Sequence, residues 1–142
     1  MIYQTIRATL EQLPALQPVR DEDGEEQGRV YPPGVCIDDV TLPIAVYARG
    51  ECAEVVDLCG RVHHYSEQVT VDILAKTYDE VQELSWAAEK ALRALGGTET
   101  EDAYVFGVQI TVPEPDGADA DLELQRRSLR LTVQWCPLEE VS

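Results

Sequence analysis

The sequence lacks any apolar run approaching the roughly 18–20 residues of a membrane-spanning helix. It also lacks a signal-peptide core, because Met1-Ile2-Tyr3-Gln4-Thr5-Ile6-Arg7 alternates polar and apolar residues. No membrane partner is expected, and the chain is expected to be made and kept in a cytosol. Positive charge is scarce: 11 Lys and Arg face 27 Asp and Glu, for a net charge of -16. A polyphosphate surface repels such a chain, which argues against tight binding of nucleic acid or anionic membrane. The motifs of common catalysts are missing too. There is no glycine-rich phosphate loop, since Gly96-Gly97 closes a helical pattern instead of opening one, and there is no G-x-S-x-G elbow or H-E-x-x-H helix. Histidine is limited to His63 and His64, whose adjacency puts them on opposite faces if they lie in a strand. No catalytic residue, no cofactor and no metal are expected, and the chain reads as a non-enzyme.

The four cysteines, Cys36, Cys52, Cys59 and Cys136, could form two disulfides, but a chain of this size does not need them and nothing in the sequence suggests secretion. Cys52, Cys59, His63 and His64 fall close together, but their spacing lacks the C-x2-C knuckle of zinc sites. They are expected to be small buried or half-buried thiols. The run Asp116-Gly117-Ala118-Asp119-Ala120-Asp121 has the carboxylate density of a calcium loop without its closing bidentate Glu, so a solvated loop is expected there.

What is present suits one compact domain spanning 1–142: 142 residues, 44% of them hydrophobic, are enough to bury an ordinary core. More than half of the acids crowd into a few segments. Asp21, Glu22, Asp23, Glu25 and Glu26 fall in the stretch 18–28. Glu114, Asp116, Asp119 and Asp121 fall in 113–121, with Glu123 just beyond. Glu99, Glu101 and Asp102 follow a helix end, and Glu139 and Glu140 sit in the tail. Such runs, mixed with Gly and Pro, read as mobile acidic loops at about 18–28 and 113–121.

Between them the periodicities are regular. Ile2, Ile6, Thr9, Leu10 and Leu13 share a helical face that Pro14 closes. Arg29-Val30-Tyr31 suggests a short strand and Leu42–Ala48 a buried one, while 52–59 fits either a strand or a turn of helix. Tyr65, Glu67, Val69, Val71, Ile73 and Ala75 alternate with polar neighbours as a half-buried strand does. Thr77-Tyr78-Asp79-Glu80 is a capping box, and a helix runs from it to Gly96-Gly97 with Tyr78, Val81, Leu84, Ala88, Ala91, Leu92 and Leu95 on one side. Trp86 falls almost opposite, amid Asp79, Glu83, Lys90 and Arg93, where a large aromatic suggests a covering loop, a lone exposed Trp or a subunit contact. Two further strands are expected, one with Tyr104, Phe106, Val108, Ile110 and Val112 inward, the other with Leu129, Leu131, Val133 and Trp135 inward. The fold class is α+β: a mostly antiparallel or mixed sheet of four to six strands with two helices packed on one face. Arg126, Arg127 and Arg130 form the one basic cluster, suited to balancing nearby acids or to an ion-pair contact with another subunit.

The order of these segments resembles a known family. Arg29-Val30-Tyr31-Pro32 followed by Leu42-Pro43-Ile44-Ala45-Val46-Tyr47 resembles the opening of the tail-terminator, or tail-completion, family of tailed bacteriophages. Val69-Thr70-Val71-Asp72-Ile73-Leu74-Ala75-Lys76-Thr77-Tyr78-Asp79-Glu80-Val81 looks like that family's strand-to-helix passage, Lys90-Ala91-Leu92-Arg93-Ala94-Leu95 like its helix end, and Leu124-Gln125-Arg126-Arg127-Ser128-Leu129-Arg130-Leu131-Thr132-Val133-Gln134-Trp135 like its last strand. The likeness covers nearly the whole chain in order. The chain departs from it at Ile44, where an aromatic is common, and in longer, more acidic insertions at 50–65 and 113–121. The resemblance implies a structural virion protein of the tail or neck, assembled in the host cytoplasm. Such a protein forms a homo-oligomeric ring, a hexamer, that terminates the tail tube and presents the head-joining surface. Its partners are then the tail tube protein and a head-completion or connector protein, and DNA passes through the lumen without specific binding. Trp86, Glu83 and Lys90 on the helix, with Arg126, Arg127 and Arg130, are the candidate subunit interface. Two other classes remain open from the residues themselves: an acidic protein-binding module or DNA-mimic inhibitor, and a small metal-binding protein.

Overall fold

A computed structural model describes residues 2–20, 24, 26–33, 41–100, 103–111, 117–119 and 124–138. The fold is α+β. A mixed sheet runs in the order β3 (Val30–Tyr31), β4 (Ile44–Val56), β5 (Val62–Ala75), β9 (Leu124–Pro137), β7 (Ala103–Thr111), β6 (Thr98–Glu99). The three-residue β8 (Gly117–Asp119) pairs with the part of β9 that β7 leaves free. The path therefore has six strands, the upper end of the expected range, and β8 lies beside it. All pairings are antiparallel except β3 with β4.

The helices α1 (Ile2–Glu11) and α2 (Tyr78–Arg93) pack against the sheet and touch each other, so they share a face. Alternation explains which face. Val69, Val71, Ile73 and Ala75 of β5, with Leu129, Leu131, Val133 and Trp135 of β9, are buried towards the helices. From α1 come Ile2, Ile6 and Leu10, one helical turn apart and wholly buried; each contributes about 1.5–3 kcal/mol of apolar burial. On the opposite face, among the described residues, Ile44 and Leu74 are buried in a small second cluster with Tyr31, Leu42 and Val46.

α2 starts where its capping residue predicts. Thr77 is extended, and its hydroxyl accepts the Glu80 N–H at 3.2 Å. Thr77→Ala is expected to cost about 1 kcal/mol, read as a fall in Tm of about 3 °C. The helix buries Val81, Leu84, Ser85, Ala88 and Leu92, but Tyr78 is 52% exposed instead of inward-facing. Position 78 is the first residue of α2, ahead of the first turn that reaches the sheet, and its hydroxyl bonds Gln82 in solvent.

Several other expectations change. In β7 a register shift between Val105 and Gly107 exchanges the faces, so Ala103 and Val105 point into the core while Phe106 is 45% exposed. The stretch 18–28 is not all connection: β1 (Val19–Arg20) pairs with β2 (Glu26–Gln27). Nor is 113–121, because it contains β8. Most of the acids in these segments (Asp21, Glu22, Asp23, Glu25, Glu114, Asp116, Asp121, Glu123), together with Glu101, Asp102, Glu139, Glu140, Val112 and Cys36, lie outside the described residues. The ambiguous stretch 52–59 is strand to Val56 and then a turn, so β4 and β5 form a hairpin far longer than the buried run 42–48. Among the described residues no helix is long and apolar enough to cross a membrane.

Candidate functional site

Three surfaces carry the chemistry, each positioned by the alternation of the element beneath it. The first is the outer side of α2. Because Leu84, Ser85, Ala88 and Leu92 face the sheet, Trp86 faces away, 78% exposed. It borders a groove of about 680 Å³ lined by Glu83, Trp86, Ala87, Glu89, Lys90 and Arg93. Arg93 Nη2 holds the rim with bonds of 3.4 Å to Glu89 Oε1 and to the Ile110 carbonyl. On the other side of the indole, Arg127 donates to Gln82 Oε1, and these two with Glu83, Trp86 and Glu89 line a smaller hollow of about 290 Å³.

The structure thus brings together Trp86, Glu83, Lys90 and Arg127. It does not bring Arg126 and Arg130 to them. β9 alternates, so Arg127, in register with Ile73, shares the helix side, while Arg126 and Arg130, in register with Leu74 and Thr70, lie on the opposite face. That opposite face is the second surface, a polar sheet carrying Ser66, Thr70, Asp72, Gln109, Thr132 and Gln134. Side-chain pairs knit it across strands: Ser128 Oγ donates to Asp72 Oδ1 at 2.5 Å, and Gln134 Nε2 to Ser66 Oγ at 3.0 Å.

The third surface is the far half of the β4–β5 hairpin, which is exposed on both faces from Arg49 to His63. Its root is pinned by Glu67, which is 1% exposed on the otherwise apolar side of β5. One oxygen accepts the Trp135 indole N–H at 3.1 Å and the other the Arg49 Nε–H at 3.2 Å. Partial desolvation, with the Glu67 charge beside it, pushes the Cys52 thiol above its usual range. The tip is a built turn: Asp57 Oδ1 accepts the N–H of Cys59 at 2.8 Å and of Arg61 at 2.9 Å, and Gly60 takes φ 80°. Val55, Val56, Leu58 and Val62 are exposed around it. Sequence reasoning missed these as a surface. The signal available was Val55-Val56-Asp57-Leu58, apolar residues astride a turn-forming Asp.

Cys52 and Cys59 are exposed, unlike the buried or half-buried thiols expected; Cys136 is half-buried, and all three are free. His63 and His64 do not point to opposite faces. The register slips between Val55 and Val56, so His63 sits in a bulge and its Nδ1 lies 2.7 Å from that of His64. Both rings pack against Phe106, at 6.0 and 5.5 Å between centroids. Among the described residues no group of three or more His, Cys, Asp or Glu is placed to hold a metal ion. Comparison with protein-family models and with curated proteins finds no match for this chain.

Proposed function

We propose that this chain is a structural protein of a tailed-phage virion, assembled in the host cytoplasm, whose copies form a hexameric ring that terminates the tail tube and offers the head-joining surface. It works by assembly and not by catalysis. The observation that carries the reading is Trp86, which protrudes from the middle of a helix into an open groove on the side away from the core. A two-layer α+β domain has no folding use for an indole there, whereas a subunit contact does. The resemblance in segment order supplies the identity of the assembly. Glu83, Lys90 and Arg127 surround Trp86 and belong to the same contact, while Arg126 and Arg130 on the other sheet face would meet a different neighbour. A net charge of -16 suits a conduit that DNA slides through without sticking.

The test uses tubes polymerised from a phage tail tube protein sought in the genome that encodes this chain, viewed by electron microscopy. The parent chain should sit as a ring on one tube end and stop further growth. Trp86→Ala should leave the tubes uncapped, although the variant keeps its Tm within about 2 °C because the side chain is exposed. Tubes that grow on unchanged in the presence of the parent chain would sink the reading.

A further inference from the structure

We propose that the β4–β5 arm of one copy seats its apolar tip in the Trp86 groove of the next copy, so that arm and groove are the two unlike halves of a single ring contact. The inference rests on the ring reading above and names the occupant of its groove.

Among the described residues nothing covers the arm. A two-stranded ribbon is marginal in water unless something covers a face. Here both faces are exposed beyond Arg49, and among the described residues β4 has no partner on its outer edge past Val46. Yet the ribbon ends in apolar side chains: Leu58 is fully exposed, with Val55, Val56 and Val62 beside it. The tip is also preorganised. Asp57 fixes the turn with two charge-assisted bonds, and the Asp57 N–H closes it on the Arg61 carbonyl at 2.8 Å. A hydrophobe held outward on a rigid turn loses little freedom on docking, which is how binding elements are built.

The groove matches it. Its floor is the Trp86 ring, Ala87 and the methylene stem of Lys90, and its volume of about 680 Å³ lies within the roughly 300–1,000 Å³ of pockets that take a ligand. Charge agrees as well. The groove lining balances Glu83 and Glu89 against Lys90 and Arg93, with Arg93 paired to Glu89. Among the described residues Lys90 and Glu83 form no ion pair, and neither do Glu51, Glu54 and Arg61 on the arm. Docking the tip beside Trp86 can set the arm's acids on Lys90 and Arg61 on Glu83.

Geometry makes the contact one between copies. The chain reverses at Lys76-Thr77, and α2 runs back along β5: Gln82 bonds Arg127 beside Ile73, whereas Arg93 reaches the Ile110 carbonyl nearer the level of Val69. At about 1.5 Å per helical residue Trp86 lies about 14 Å from the reversal; at about 3.3 Å per strand residue Val62 lies about 43 Å from it. Tip and groove are thus separated by about 30 Å on one copy. Each copy offers one of each, which is the requirement for a head-to-tail ring.

The experiment compares masses in solution across a protein concentration series for the parent, Leu58→Glu, Trp86→Ala and an equimolar mixture of the two variants. The parent should assemble, and each variant alone should associate about thirtyfold more weakly. The mixture should form a dimer and nothing larger, because it has one working arm and one working groove per pair. Unchanged circular dichroism of Leu58→Glu confirms its fold, as Leu58 touches no core. A ring that survives Leu58→Glu overturns the arm as occupant and leaves the ring reading standing. A mixture that stays monomeric, or a parent that is monomeric throughout, overturns the docking of arm on groove, and tube capping then decides the ring reading by itself.

Discussion

Leu131→Ala is expected to lower the unfolding free energy by about 3–4 kcal/mol. Leu131 is wholly buried in β9, the strand flanked on both sides, with Val69 of β5 and Ile110 of β7 as register partners. α2 packs over the same strand. The hole left by the missing carbons is walled by two paired strands and a helix, none of which can collapse into it without breaking ladder hydrogen bonds. That puts the cost towards the upper part of the range for such changes. A chain of this size has about 5–15 kcal/mol in all, so the urea midpoint should fall by a large fraction and Tm by about 10 °C. Leu58→Ala is the matching control: the same atoms leave from a fully exposed site, and stability should stay within about 0.5 kcal/mol. Equal losses for the two would mean that β9 is not the middle of the sheet.

The contrast between Leu131 and Leu58 also explains what could be read in the sequence. Period-2 and period-3.6 patterns exist where one face is dry and the other wet, and there the sequence was informative. The alternation of Val69, Val71 and Ile73, that of Leu129, Leu131 and Val133, and the cap of α2 with its stripe from Val81 to Leu92 describe the core correctly, Tyr78 at the helix start being the exception. Glu67 fits the same frame as a polar residue tolerated on a dry face because two donors meet it. The pattern fails where both faces are wet. Gly50-Glu51-Cys52-Ala53-Glu54 has no dry side, so nothing in its order announces a strand, and the arm appears only once β5 is present to pair with it. It fails again at bulges. One extra residue exchanges the faces of everything that follows, and neither His63 nor Phe106 is flagged by composition as a bulge site.

The candidate surface divides along the same line. Trp86 was legible because a helix has a computable far side, and an aromatic there conflicts with the local pattern. Three arginines within five positions looked like one cluster. Strand alternation splits them, sending Arg127 under the edge of α2 and Arg126 and Arg130 to the polar sheet. The tip residues stayed hidden for a different reason: Val55, Val56 and Leu58 look like ordinary core material until the geometry shows that no core reaches them.

Glu67→Ala is expected to destabilise the domain by about 2–4 kcal/mol, because a large, wholly buried side chain and a buried acceptor are lost together. Glu67 stands opposite Cys52 on β4 and Val133 on β9, where the core ends and the arm begins. Its removal takes the acceptor from the buried Trp135 N–H, and an unmet buried donor costs about 1–3 kcal/mol. It also leaves a void between β4 and β9, which adds to the loss. Glu67→Gln separates these effects. The amide oxygen can still accept from Trp135 and the volume is kept, so only the charge facing Arg49 is lost, at about 1 kcal/mol. Arg49→Ala should cost no more than that, since its side chain is half exposed and solvent screens the pair. Thermal melts followed by tryptophan fluorescence read the series directly: Trp135 is the buried indole and Trp86 the exposed one, so the blue-shifted emission reports the arm root. The expected order is Glu67→Ala far below Glu67→Gln and Arg49→Ala, with the red shift of Trp135 confined to Glu67→Ala. If Glu67→Gln melted as low as Glu67→Ala, the charge and not the acceptor would be what holds the root, and the arm's anchorage would depend on Arg49 instead of Trp135.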